Sequence, residues 1–173
     1  MSILKSISIV FFTLAISFST NAQILKAEIV ATGLTCSMCS NAINKQLKSL
    51  SDVESVDIDL NTNTFTVHLK RNNSATPKLL KTSVEKAGFF VGSMVVTMQF
   101  EEVKINDNMT LQTKNATLIF LDTEAKTLKG ATKIKIQDKG FVTQKEYKKL
   151  MRSYAKYPSY AAGDENDYHV VTL

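Results

Sequence analysis

The feature that most constrains this chain is the order in which its apolar period changes between Ile24 and Phe100. Residues 24–31 favour a strand, which Thr32-Gly33 breaks. Within residues 37–50 the apolar positions Ala42, Ile43, Leu47 and Leu50 recur at helical spacing, and Asn44, Lys45 and Lys48 fall on the other face. Two alternating runs follow, VESVDIDL and TFTVHLK, which put Val53, Val56, Ile58 and Leu60 and then Phe65, Val67 and Leu69 on one face. Asn61-Thr62-Asn63 between them predicts a hairpin turn. Thr76-Pro77 reads as an N-cap followed by the first helical residue, with Leu79, Leu80, Val84 and Ala87 on the buried face and Gly88 as the stop. The run FFVGSMVVTMQF is then β-prone, and Gly92 marks a bulge within it. The order βαββαβ predicts an α+β, ferredoxin-like sandwich over residues 23–99, with two helices on one antiparallel sheet.

Beyond Phe100 the pattern shortens. Strands are predicted at residues 109–113, 116–121 and 131–136, and the capping box Thr143-Gln144-Lys145-Glu146 opens a helix running towards Tyr154. YPSYAAGDEND reads as a loop and YHVVTL as a closing strand. These elements predict a separate small β-rich, OB-like domain over residues 100–173, which docks a partner or fixes the first domain at its site of use.

Ahead of both stands Lys5, an apolar run at residues 7–18 and the small polar stretch Ser19-Thr20-Asn21-Ala22. That is the layout of a signal peptide, residues 1–22, cut after Ala22. The run is shorter than the ~20 apolar residues a span needs, so the expectation is an exported protein, periplasmic or secreted, without stable membrane insertion after cleavage. The formal charge is +5, but the basic residues read as scattered along the chain, and Lys148-Lys149 is the only Lys-Lys pair. With no Trp and no interleaving of Arg with aromatics, nucleic acid is not an expected partner.

The chain has two cysteines, Cys36 and Cys39, at the mouth of the first predicted helix. Exposed backbone N–H groups converge there and the helix dipole favours negative charge. Both effects lower a thiol pKa and populate thiolate, the species that binds metal. In an oxidising compartment vicinal thiols also close into disulfides, so a metal clamp, a redox pair and a structural bridge all have to be weighed. Structural zinc wants four ligands, whereas His68 lies on a strand and His169 near the far end. Two thiolates alone suit a soft, low-coordinate ion such as Cu(I). An ion held by two protein ligands stays open to a third thiolate, which is transfer chemistry and not catalysis. No Ser-His-Asp set, phosphate-cradling glycine loop or paired-carboxylate signature stands out in the sequence, so the expectation is a protein that is not an enzyme.

The stretch Gly33-Leu34-Thr35-Cys36-Ser37-Met38-Cys39 resembles the Gly-Met-Thr-Cys-x-x-Cys loop of the heavy-metal-associated domain family. That family includes copper chaperones, the amino-terminal modules of metal-pumping ATPases and the periplasmic mercury-binding protein. The resemblance continues through Ile43, Leu47, Leu50, VESVDIDL and VEKAGFFV, and covers residues 24–98. It implies that Cys36 and Cys39 are metal ligands and that Leu34, where the family has methionine, is a buried prop beneath the loop. The implied ion is Cu(I), with Hg(II), Zn(II) and Cd(II) as further thiophilic candidates. Implied partners are metal donors or acceptors, a membrane metal transporter among them. Phe89-Phe90 stands where copper carriers often place Lys or Tyr, which leaves the ion's identity open, and the resemblance does not reach the carboxy-terminal segment.

Cys-x-x-Cys at a helix start is also the thioredoxin arrangement, which makes redox exchange the alternative function. In thioredoxin, however, the proline leads into a strand, while PKLLKTSVEKAG here has helical periodicity. A purely structural disulfide ranks third, because so short a loop constrains little chain. Met38 reads as a greasy docking residue, Met94 and Met98 as core, and His68 as a solvated side chain out of phase with the apolar face. His169, near Asp164, Glu165 and Asp167, is the candidate for a second metal site, against the plainer reading of a solvated acidic loop.

Overall fold

The computed structural model describes residues 22–114, 116–163 and 167–173. The expected signal peptide therefore lies, apart from Ala22, outside the described residues. The elements run β1 (Gln23–Thr32), α1 (Ser37–Lys48), β2 (Val53–Asp59), β3 (Thr64–Leu69), α2 (Pro77–Lys86), β4 (Phe90–Ile105), β5 (Thr110–Gln112), β6 (Thr117–Phe120), β7 (Lys126–Ile136), α3 (Gln144–Ser153), α4 (Pro158–Ala162) and β8 (Asp167–Thr172).

The first six elements form the expected ferredoxin-like unit, with strands in the order β2-β3-β1-β4 and all neighbours antiparallel. Local chemistry fixes its corners. Asp59 accepts hydrogen bonds from the Asn61 backbone N–H and the Thr62 hydroxyl, each at 2.9 Å, and Asn63 takes φ +53°, which closes the hairpin. Thr76 caps α2 by accepting from the Leu79 N–H at 3.1 Å, and Pro77 fills the first turn. Val30 pairs with Ser93 and Ala31 with Val91, so Gly92 is the extra residue of a bulge. A Cβ there would sit 2.5 Å from the Thr32 methyl, which is why the close approach of β1 and β4 needs glycine.

The second half departs from the predicted OB-like domain. The strands after Phe100 form no separate closed barrel among the described residues. They extend the same sheet, whose full order is β2-β3-β1-β4-β7-β8-β6-β5. The physical reason is β4, which runs on to Ile105 as a 16-residue strand and presents one edge to β1 and the other to β7. The division expected at 99/100 falls inside it. A single apolar cluster runs from Ile24, Ile43, Leu47 and Leu80 through Met94, Met98 and Phe100 to Leu118, Phe120, Ile134 and Val170. Met94 and Met98 are therefore core, as the alternation predicts.

Ile119 and Leu121 point the other way from Leu118 and Phe120, and on that face they meet Tyr154, Tyr157 and Tyr160. Helices α3 and α4 cover this face. The segment expected as a loop thus contains a helical turn, α4, with Pro158 in its first turn and Gly163 at φ +55° ending it. Tyrosine edges hold the layer together: Tyr154 and Tyr160 meet at 5.2 Å and 75°, Tyr154 and Tyr157 at 5.9 Å and 63°.

Candidate metal centre

β1 ends at Thr32, and Gly33 turns the chain at φ +88°, a conformation that costs a side-chain-bearing residue and not glycine. Three residues later Cys36 occupies the N-cap of α1 in extended geometry, and Cys39 lies in the first turn. The two sulfurs face one another at 3.2 Å as free thiols. The cap side chain makes no hydrogen bond to the helix and the first turn has no acidic residue, so no carboxylate of that turn offsets the positive end of the dipole and the site favours charge on the sulfurs. Hydrogen bonds from the Thr35 backbone and then from the Cys36 thiol hold the Cys39 thiol down to about 7. The Thr35 hydroxyl lies 4.0 Å from the same sulfur.

This is a donor set of two soft ligands. Among the described residues no group of three or more His, Cys, Asp and Glu side chains could hold a metal, so the pair stands without a third such donor. Two converging thiols with one partly ionised at neutral pH fit a thiophilic, low-coordinate ion and do not fit four-coordinate zinc. Leu34 is half-buried against the main core and not fully buried as the resemblance implies, because the loop lies at the rim of the sandwich.

Around the sulfurs lies an apolar rim. Four large apolar side chains among the described residues are more than half exposed: Met38 at 80%, Phe90 and Leu173 at 67%, and Leu60 at 58%. Three of them border the cysteine loop. Met38 lies between the cysteines, Leu60 lines a hollow of about 260 Å³ with Leu34, Cys36 and Ser40, and Phe90 pairs with Thr32 beside the Gly33 turn. Sequence alternation puts Leu60 on the apolar face, but β2 ends at Asp59 and Leu60 is exposed in the turn that follows.

The histidines go elsewhere. His68 is half-exposed and bonds Asp57 across the strand pair at 3.1 Å. His169 is 1% exposed, with Nδ1 2.7 Å from Asp138 Oδ1 and Nε2 3.1 Å from Ser159 Oγ. The other Asp138 oxygen accepts the His169 backbone N–H at 2.7 Å. The ring thus clamps α4 and the β7–α3 connection onto β8 and joins no metal-holding group among the described residues. Asp164 and Glu165, which the sequence associates with it, lie outside the described residues. The Asp–His–Ser chain has the distances of a nucleophile relay, but its histidine is sealed, and the Tyr160 N–H beside Ser159 is already donated to Tyr157. Sequence could not find it, because its members come from a loop, a helix and a strand 31 residues apart at most. No helix among the described residues is long and apolar enough to cross a membrane.

Residues 29–90 match the family model of the heavy-metal-associated domain. A copper-exporting P-type ATPase of Staphylococcus saprophyticus is 36% identical over 66 residues, which are 38% of this chain and 8% of that protein. The chain thus spans less than a tenth of the length of this curated relative. Among solved structures, a yeast copper transporter domain, studied in apo and Cu(I)-loaded states, is 38% identical, with 37% of this chain and 86% of that one covered and a TM-score of 0.34. The amino-terminal domain of a potential copper-translocating P-type ATPase from Bacillus subtilis, in the Cu(I)-loaded state, is 31% identical, with coverages of 39% and 82% and a TM-score of 0.35.

Proposed function

Because residues 29–90 belong to the heavy-metal-associated domain family, we propose that this chain binds one Cu(I) between Cys36 and Cys39 and hands it to a partner. The observation that carries the reading is the pair of facing sulfurs, 3.2 Å apart at an uncapped helix N-terminus, with the Cys39 thiol held to about 7. A partner thiolate adds to the bound ion as one chain sulfur leaves. Copper stays monovalent throughout, so no oxidant or reductant enters. The copper proteins among the relatives support this ion over Hg(II), Zn(II) or Cd(II).

The apolar rim of Met38, Leu60 and Phe90 gives the partner a docking face around the sulfurs, in which a charged loop would be replaced by greasy contact. We place the chain outside the cytoplasm on the strength of residues 1–22 and its partner at a membrane metal transporter or another metal donor or acceptor. The ferredoxin-like unit acts as the carrier and the strands beyond it as the part that positions the carrier, with no catalytic step assigned to either.

The test is an anaerobic titration of the reduced chain with Cu(I) against a chromogenic chelator. One equivalent is expected for the natural sequence and none that survives chelator competition for Cys36→Ser or Cys39→Ser. Unchanged stoichiometry in both variants contradicts the proposal.

A further inference from the structure

Helix α3 gathers charge that looks dispersed along the chain. Lys145, Lys148, Lys149 and Arg152 stand at i, i+3, i+4 and i+7, all exposed, within roughly a 100° arc of one face and a length of about 10 Å. The opposite face, Tyr147 and Leu150, packs on the tyrosine cluster, so the stripe points directly away from the protein. Among the described residues none of the four belongs to an ion pair, whereas Lys26, Lys81, Lys129, Lys133 and Lys156 each do. Take these four from the chain's 21 basic residues and the rest balance its 16 acidic ones to within one charge. The net charge of the molecule is in effect this one stripe. Lys145 with Lys149, and Lys148 with Arg152, are like-charge pairs one turn apart, each weakening the helix unless an anionic surface faces it.

We propose that the outer face of α3 docks the protein electrostatically on an anionic lipid surface. A protein partner is expected to want an apolar or aromatic anchor at the centre of such a patch, and the stripe has none among its four side chains. Single-stranded nucleic acid wants aromatic rings for base stacking, and the helix's one aromatic residue, Tyr147, packs instead on the tyrosine cluster. A row of four cations on the outer face of a helix, set around a shallow hollow of about 400 Å³, matches the diffuse negative charge of a headgroup layer. The position is also apt. Thr143 and Gln144, at the start of α3, line a hollow of about 410 Å³ with Thr32 and Phe90, which adjoin the cysteine loop. Attachment through α3 therefore holds the loop near the bilayer. The docking itself is independent of the metal reading.

Sedimentation of the full chain with phosphatidylcholine vesicles, with and without about one third phosphatidylglycerol, tests this at low salt. Comparing two lipid mixtures for the same chain cancels any contribution of the apolar residues 7–18. Four cations near the surface predict a preference for the anionic vesicles of at least about a hundredfold, abolished by high salt. The variant K145Q/K148Q/K149Q/R152Q loses the preference, the charge-keeping variant K145R/K148R/K149R/R152K retains it, and Cys36→Ser retains it too. Equal binding to both vesicle types overturns the proposal, as does a preference that survives in the glutamine variant. Capture by soluble polyglutamate without any preference between the vesicles assigns the stripe to an acidic protein instead and equally overturns it.

Discussion

Replacing Leu47 by alanine tests whether the two halves of the sheet stand or fall together. Leu47 is fully buried on α1, at the end of the molecule far in sequence from every tyrosine. Truncation of a buried leucine removes its transfer free energy and leaves a cavity, for a cost of about 3 kcal/mol. With a urea slope of about 2 kcal/mol per molar, the unfolding midpoint falls by about 1.5 M. All five tyrosines lie between residues 147 and 168 and there is no tryptophan, so tyrosine fluorescence reports chiefly the carboxy-terminal half, with Tyr168 reaching α2 by accepting the Lys78 N–H at 3.3 Å. Because β4 is paired on both edges and one apolar cluster crosses it, the tyrosine transition should move by the same ~1.5 M as the far-ultraviolet dichroism. A tyrosine midpoint that stays put while the dichroism splits into two steps refutes the reasoning and restores two independent domains.

Three further outcomes are expected. Alkylation of Cys39 should reach half its maximal rate near pH 7 and not near the ~8.5 of a free thiol, since hydrogen bonds to the thiolate lower its pKa; as pH falls through that value the sulfur reprotonates and alkylation slows. A titration midpoint above 8 in the reduced, metal-free chain counts against the described loop geometry. Tyr157→Phe removes the hydroxyl that donates to Asp107 at 2.6 Å, the largest cause of that carboxyl's depressed pKa, so the Asp107 resonance should titrate at higher pH and stability should drop by about 1 kcal/mol. The sign is that of a lowered carboxylate: this part of the lost stability is present above the carboxylate range and fades as pH falls, so natural and variant chains should draw closer in acid, a gap remaining from the Asp122 N–H that the hydroxyl accepts at 3.0 Å. His169→Ala strips two ring hydrogen bonds from a sealed site and should cost about 3 kcal/mol, read by thermal unfolding, with Cu(I) stoichiometry unchanged.

Much of the amino-terminal half was legible because its signals are local. A period of two or 3.6, Thr76 before Pro77, and Gly92 within a β-prone run each act over a few residues, and each reappears in the structure. The sheet's continuation was not legible, because nothing within β4 says that its second edge will pair with β7 instead of closing a barrel elsewhere. That choice depends on pairing partners 30 or so residues away. Strand β7 begins at Lys126, earlier than its apolar alternation suggests, since its polar first residues face solvent. Helix α4 could have been found: Pro158 and Gly163 bracket it with the start and stop signals used elsewhere in the chain. The basic stripe of α3 was equally available, at positions 145, 148, 149 and 152, but only once the charges are read around a helix and not along a line. Of the metal loop, the cysteines and their place at a helix start were readable, while the rim formed by Leu60 and Phe90 required the hairpin and β4 in three dimensions.

X-ray absorption at the copper edge, on the complex of the reduced chain with one equivalent of Cu(I), reports the ion's neighbours directly. A first shell of two sulfurs, lost when either Cys36 or Cys39 becomes serine, is the predicted result. A shell containing nitrogen or oxygen, or one that persists in the serine variants, would contradict a two-thiolate grip open to exchange.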